Sequence, residues 1–360
     1  MHNNFRLQFI GVISAISLTS CTTATNTVTS PTVPPCNVVL IGWDGAQREH
    51  VKECLERGEL PVLGALAARG SFRNIDIRGT PDTTAGWSQI LTGYDPDVTG
   101  AWSNYKFSPI PKGLSVFERL KEQFGTNIVT LAVIAKERTI GQVRNPLKIR
   151  LDEPSTNAIA SIASNQPQPK QDELRDIQGT RVIVEDGVRY RVYPGSPWLN
   201  MKDACDRWLY GLGQNETVTA NALELIEQYK HKPFFLFVHF AEPDRAGHAY
   251  GENSPQYNTA LESDDTCTGQ IVEKLKQLGL YNKTYIYITT DHGFDEGKKT
   301  HGRATRAFIV TNDPKVRRDG DRADIAPTIL NRFGFDLRRF TPPFSGAPLD
   351  TTQKSRTQTN

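Results

Sequence analysis

The stretch Asn37-Val-Val-Leu-Ile-Gly-Trp-Asp-Gly45 decides the architecture. Its apolar run carries no charge and no polar alternation, so it reads as a strand covered on both faces. The same signature returns in Ile128 to Ala135, in Pro233-Phe-Phe-Leu-Phe-Val-His239, in Thr284-Tyr-Ile-Tyr-Ile-Thr-Thr290 and, shorter, in Ala307 to Val310. Between these runs the apolar spacing turns helical. It does so over Arg48 to Arg57, Pro61 to Arg69, Leu114 to Phe124, Asn221 to Tyr229, Tyr257 to Leu278 and Asp324 to Phe333, the last closed by Gly334. Strands alternating with helices predict an α/β fold, with a mostly parallel central sheet and helices on both faces.

The alternation breaks between about 145 and 215. Asp152 to Asp176 is polar and contains Gln166-Pro-Gln-Pro169. Arg181 to Tyr193 then alternates around Asp186-Gly187, a pair that favours a tight β-hairpin. This span reads as an inserted cap containing a β-hairpin, within a catalytic domain covering 36–347. The polar residues 348–360 read as a disordered tail.

The chain has 360 residues, with 42 Lys plus Arg against 40 Asp plus Glu, a formal net charge of +2. That balance speaks against binding the phosphate backbone of a nucleic-acid duplex, and the sequence implies no protein partner. The long apolar stretch Leu7 to Leu18 spans ~18 Å as a helix against ~30 Å of bilayer core, which excludes a polytopic membrane protein. Arg6, that apolar segment and the ending Leu18-Thr-Ser-Cys21 instead read as a secretory signal over residues 1–20. The ending resembles a bacterial lipobox. It implies a lipidated Cys21 anchored in the bacterial envelope and, from Thr22, an outer-membrane address facing the periplasm. Residues 21–35, rich in Thr, Ser and Pro, read as a flexible tether. Four cysteines remain, and an even number in an exported chain predicts two disulfides, Cys36–Cys54 and Cys205–Cys267.

Residues able to hold a metal fall in four places, each just past a buried strand or in the next loop. That carboxyl edge is where open α/β sheets form their sites. Asp44 follows the first strand, and Asp244 and His248 follow the Phe237 strand. Asp291 and His292 follow the Ile288 strand, and His301 comes next in Gly297-Lys-Lys-Thr-His-Gly302. Three carboxylates and three imidazoles suit two divalent transition-metal ions, Zn²⁺ before Mn²⁺. Each piece alone has an ordinary alternative. Asp44-Gly45 suits a turn, Asp244 and His248 a surface pair on one helical turn, and His301 a solvated loop. Asp291 and His292 share a metal only if the strand has ended, because neighbours on a strand face opposite ways. Their occurrence together, in order, at strand ends carries the weight.

Thr83, in Gly79-Thr-Pro-Asp-Thr-Thr-Ala-Gly-Trp-Ser88, precedes a helix predicted over Ala85 to Leu91. A threonine there caps the helix, and the helix's free N–H groups suit a phosphate; the two roles coexist. Its hydroxyl becomes a competent nucleophile when a metal deprotonates it. Thr84 is a rival. Lys136, after the Ile134 strand, could reach the site but is expected in solvent, and His239 is expected in the core rather than as a distant support of the ligands. Trp87 and Trp102 flank the nucleophile, to pack in the core or to stack on a leaving group.

In this order Asp44, Thr83, Asp244-x-x-x-His248, Asp291-His292-Gly293 and His301 resemble the alkaline phosphatase superfamily, and most closely its type I phosphodiesterase/nucleotide pyrophosphatase branch. Thr92-Gly-Tyr-Asp-Pro-Asp-Val-Thr-Gly-Ala-Trp-Ser-Asn104 is similar to that branch's segment ending in a phosphate-contacting asparagine. Asp324-Ile-Ala-Pro-Thr-Ile-Leu330 is similar to its late helix. The resemblance covers about residues 36–347 outside the insertion. It implies that Asp44, Asp291 and His292 hold one metal, which also meets Thr83. Asp244, His248 and His301 then hold the second. It further implies that Thr83 forms a phosphothreonine intermediate, with Asn104 on the phosphate and a small phosphodiester or pyrophosphate as substrate. Phosphomonoesters and phosphoethanolamine- or phosphoglycerol-type transfer stay open. A non-catalytic binding lipoprotein is disfavoured, because no ligand is missing. The chain departs from the branch directly after Thr83, where Thr84 and Ala85 replace an aromatic residue or Lys and then Pro. Residues 83–87 also lack the Cys/Ser-x-Pro-x-Arg that sulfatases of this superfamily need.

Overall fold

The computed structural model describes Met1, residues 34–151 and residues 179–350. The proposed signal segment, Cys21, nearly all of the tether, the polar stretch 152–178 and residues 351–360 lie outside them. The strands are β1 (Asn37–Trp43), β2 (Ser71–Asp76), β3 (Val129–Ile134), β4 (Leu147–Arg150), β5 (Arg181–Glu185), β6 (Val188–Tyr193), β7 (Arg207–Leu209), β8 (Phe234–Phe240), β9 (Thr284–Thr289), β10 (Arg306–Thr311) and β11 (Gly320–Asp321). The central sheet runs β11-β2-β10-β9-β1-β8-β3-β7. From β9 to β7 every pairing is parallel, and β10 alone runs antiparallel to both of its neighbours.

Strands β1, β3 and β8 are buried at every position, as their unbroken apolar runs require. Their side chains alternate between two cores. Val38, Leu40, Phe235 and Phe237 meet the helices Thr83–Thr92, Val116–Phe124 and Ile325–Arg332 on one face. Val39, Ile41, Leu236 and Val238 meet the helices Arg48–Glu56, Pro61–Arg69, Asn215–Tyr229 and Pro255–Gln277 on the other. Each large side chain buried this way contributes about 1.5–3 kcal/mol.

The expected hairpin forms as β5 and β6, turning through Asp186 and Gly187 at φ 51° and 77°. Both values suit a type I′ turn. β4 joins β6 to make a separate three-stranded antiparallel sheet. β7 pairs in parallel with β3, so residues 207–209 form an edge of the central sheet. The sequence reading missed β2, β4, β7 and β11. Ser-Phe-Arg-Asn-Ile-Asp over β2 is polar and only half-buried, and β4, β7 and β11 are too short to show a period.

The predicted disulfides are absent: Cys36, Cys54, Cys205 and Cys267 are all free thiols. Cys36 and Cys205 pack into the first core, whereas Cys54 and Cys267 lie in the second. Each predicted pair is therefore divided by the sheet, and a disulfide needs Cα atoms within about 7 Å.

Candidate active site

Strand register brings the ligands level. β1 pairs Gly42 with Thr289 of β9, so Asp44 and Asp291, each two residues further on, leave the sheet side by side. β1 also pairs Gly42 with His239 of β8, and β8 pairs His239 with Ile134 of β3. Lys136 therefore emerges at the same level. The Asp44 amide donates to Phe240 O at 3.1 Å and the Asp244 amide to Asp44 O at 3.0 Å. Asp244 lies in the first turn of the helix Glu242–Tyr250 and His248 in its last. β9 ends at Thr289, which releases Asp291 and His292 from strand alternation, and His292 Nε2 lies 3.4 Å from Asp291 Oδ2.

The helix that carries Thr83 is Thr83–Thr92, with Asp82 at its N-cap and Thr83 as its first residue. It starts two residues before the predicted start, and all ten residues are buried. Two glycines permit its approach to the sheet. A Cβ on Gly42 would come within 2.2 Å of the Trp87 ring, and one on Gly86 within 2.7 Å of the Asp291 Cβ. Trp87 is thus core, and its Nε1 donates to Asp44 Oδ2 at 3.4 Å. Trp102 is not core: it is 43% exposed, with Lys106 Nζ 4.9 Å from the ring centroid.

Thr83 Oγ1 lies 3.4 Å from His292 Nε2 and accepts from Lys136 Nζ at 3.3 Å. Lys136 corrects the expectation of a solvated side chain. Its ammonium is largely buried, donates to Asp44 Oδ1 at 2.8 Å and pairs with Asp244 Oδ2 at 2.7 Å. Burial works against its charge, but Asp244, Asp44 and Asp291 outweigh burial and raise its pKa. His239 also does more than fill the core, since its Nε2 donates to Asp44 Oδ2 at 2.9 Å. Thr84 points elsewhere, donating to Thr139 O at 3.0 Å. Asn104 sits at the start of the helix Thr83–Thr92. Its Oδ1 accepts from Thr84 N at 2.9 Å, and its own amide donates to Asp82 Oδ2 at 3.0 Å.

Arg322, fully buried, ties the site together from below. Its Nη1 donates to Asp291 O at 2.8 Å, and its Nη2 to Arg78 O at 2.9 Å and Thr80 O at 3.1 Å. No motif in the sequence marked Lys136, His239 or Arg322 for these roles. The one available signal was position: Lys136 and His239 stand at the ends of buried strands.

On the outer side, His248 Nε2 lies 3.4 Å from Asp244 Oδ1, and its Nδ1 donates to Lys299 O at 2.9 Å. His301 stacks on His292, with ring centroids 4.1 Å apart. Burial, then the neighbouring His292, pushes the His301 pKa down to about 4, so the ring is a neutral donor at ordinary pH. Among the described residues, Asp244, His248 and His301 form one group with ligand atoms within 4.8 Å of one another, and Asp44, Asp244 and His292 form another. Asp291 stands beside the second group rather than in it.

These residues fit two divalent cations. Buried Asp244 Oδ1 and Asp291 Oδ2 have no hydrogen-bond partner, a costly state for a carboxylate oxygen that a cation would relieve. Three carboxylates face the single ammonium of Lys136. Burial and then Asp44 push Asp291 well above the usual carboxylate range, while at Asp44 burial is outweighed by Lys136 and His239 together, which hold it down to about 2. The cluster is short of positive charge.

The sequence profile of the type I phosphodiesterase/nucleotide pyrophosphatase family matches residues 38–333. The chain belongs to that family. Among curated proteins it is similar to ectonucleotide pyrophosphatase/phosphodiesterase family member 3 of Mus musculus. The two are 40% identical over 65 residues, 18% of this chain and 7% of that one. It is also similar to a 2,3-bisphosphoglycerate-independent phosphoglycerate mutase of Clostridium kluyveri, 31% identical over 130 residues, 33% of this chain and 24% of that one. The aligned regions thus span a quarter or less of these relatives. Among solved structures, a protein in the alkaline phosphatase superfamily from Vibrio parahaemolyticus shares the fold at TM-score 0.54, with 16% identity over 92% of this chain and 76% of that one. A lipoteichoic acid synthase from Listeria monocytogenes does so at TM-score 0.52, with 14% identity over 89% and 76%. This member of the phosphodiesterase family therefore keeps the superfamily's α/β sheet.

Proposed function

We propose that this chain is a metal-dependent phosphoester hydrolase with Thr83 as its nucleophile. One observation carries the reading: Thr83 Oγ1, at a helix N-terminus, lies 3.4 Å from His292 and 3.3 Å from Lys136, beside three carboxylates. Asp44, Asp291 and His292 would hold one divalent cation, Zn²⁺ or Mn²⁺, and Asp244, His248 and His301 the other. When bound, such a pair supplies Lewis-acid stabilisation and lowers the pKa of the threonine hydroxyl and of water. Everything else comes from the chain. The positive N-terminal end of the helix Thr83–Thr92 favours the anionic phosphoryl group, with Thr84 N taken by Asn104. Asn104 spends its carbonyl oxygen on Thr84 N, which leaves its amide NH₂ for the substrate. Thr83 gives up its proton, which ends on the leaving oxygen, as the Thr83 oxygen bonds to phosphorus and the bond to the leaving oxygen breaks. Water then cleaves the phosphothreonine, releasing phosphate or a monoester and restoring the hydroxyl.

The family favours diesters or pyrophosphates as substrates. A second reading, phosphomonoesters, gains support from Lys136, because a monoester carries one more negative charge and needs one more cation beside the nucleophile. Turnover of a nitrophenyl phosphodiester against the matching monoester decides between them. Turnover only in the presence of an alcohol acceptor would instead favour a transferase. Full activity after exhaustive chelation would reject the metal assignment. We further propose export and anchorage through a lipidated Cys21, read from Leu18-Thr-Ser-Cys21. Cys21→Ala should move the protein out of the membrane fraction, and retention there would reject the anchor.

A further inference from the structure

We propose that Glu252, held by His50, is the positioning residue that sets the spacing of the outer ligand group. The inference rests on the two-metal reading above. His248 ends one helix and His301 lies in a separate loop, so something must fix the distance between them. The helix Glu242–Tyr250 closes at Gly251, whose φ of 100° turns the chain inward. That turn buries Glu252, only 1% exposed, between both ligand segments. Its carboxylate takes the Gly297 amide on Oε2 at 2.8 Å, and its own amide donates to Lys298 O at 3.0 Å. These bonds grip the loop just before His301. Lys299 adds a second tie, donating from Nζ to Ala249 O at 2.7 Å while its carbonyl accepts from His248.

The other carboxylate oxygen, Oε1, meets His50 Nδ1 at 2.7 Å. His50 belongs to the helix that follows Asp44, and its ring lies edge-on to Tyr257, with centroids 5.2 Å apart. The Tyr257 hydroxyl donates to Gly45 O at 2.7 Å and accepts from Gln47 N at 2.7 Å. Glu252 thus refers the His248–His301 spacing to the same turn that carries Asp44. The hydrogen bonds of Glu252 go to Gly297, Lys298 and His50 rather than to His248 or His301, so Glu252 acts through the residues it holds. Supporting partners of this kind cost about 10–100-fold in metal affinity when removed.

The test is a calorimetric Zn²⁺ titration of the metal-free full chain, with bound metal counted per chain after dialysis. Wild type should take two ions. Glu252→Ala should keep one at wild-type affinity and bind the other at least tenfold more weakly. Glu252→Gln, which keeps an acceptor for the Gly297 amide and conserves shape, should fall between. If Glu252→Ala does not fold, Glu252→Gln alone decides: a second ion as tight as in wild type overturns the inference. Weakening of both ions alike also overturns it, since that marks a general loss of structure. Wild type that binds fewer than two ions overturns the two-metal reading itself. That failure is seen without any substitution, so the two are distinguishable.

Discussion

The inner and outer halves of the candidate centre differ in how they are held. Asp44, Asp291 and His292 are fully buried at the ends of β1 and β9, adjacent strands in the middle of the sheet. Lys136 and His239 hold the Asp44 carboxylate, Arg322 holds the Asp291 backbone, and His292 Nδ1 donates to the adjacent Gly293 O at 3.0 Å. His248, by contrast, has a side chain 47% exposed, and the carbonyl that orients it belongs to Lys299 in a separate loop. His301 rides on a loop whose anchor is Glu252. The inner half inherits its geometry from a cooperative sheet. The outer half depends on a few loop hydrogen bonds, the kind of structure that opens locally at low free-energy cost.

The largest expected effect tests the inner half. Thr83→Ala should lower turnover by more than about 10³-fold, as removal of covalent nucleophiles does, while bound metal stays unchanged; wild-type turnover would reject the nucleophile. Lys136→Met comes next. It should cut kcat/KM for a monoester by about 10²–10³-fold, the worth of a well-placed electrostatic donor, and for a diester much less. Equal losses on both substrates would mean that Lys136 serves the carboxylates rather than the substrate. Stepwise chelation compares the halves directly. The ion of the half-exposed group should leave first, and a single cooperative loss would erase the distinction. His301→Ala should abolish that first step and leave the second in place.

The smallest effect concerns pH. Burial alone would lower the His50 pKa, but hydrogen bonds with the Cys54 thiol and the Glu252 carboxylate outweigh it and push it up to about 10. A pKa raised on folding stabilises fully below the unfolded value of about 6.5 and loses that stabilisation as pH rises through the folded one. Thermal stability should therefore decline between about pH 6.5 and 10, and Glu252→Gln should flatten the decline. Parallel slopes in the two proteins would detach the pair from folding.

Much of the site was legible because each ligand follows a run of residues buried on both faces. Asp44 after Trp43, Asp244 after Phe240 and Asp291 after Thr289 all carry that local mark. Lys136 after Ile134 carries the same mark but was read as solvated, since a lone lysine at a strand end ordinarily is. What buries it is the pair Asp44 and Asp244, 92 and 108 positions away. The disulfide reading failed for a related reason. Cys36 and Cys54 bracket one strand and one helix, but the chain crosses the sheet between them.

By itself the sequence determined the parallel α/β sheet, the hairpin at 181–193 and the residues able to bind metal, because burial pattern and residue type are local properties. Tertiary structure alone decided that Gly42 sits level with Thr289 and His239, that Lys136 reaches Thr83, and that Glu252, just past the helix of His248, bonds the loop that leads to His301. Those facts depend on register and on contacts between residues far apart in the chain, where many pairings are compatible with the same local pattern and only simultaneous packing of both cores selects one.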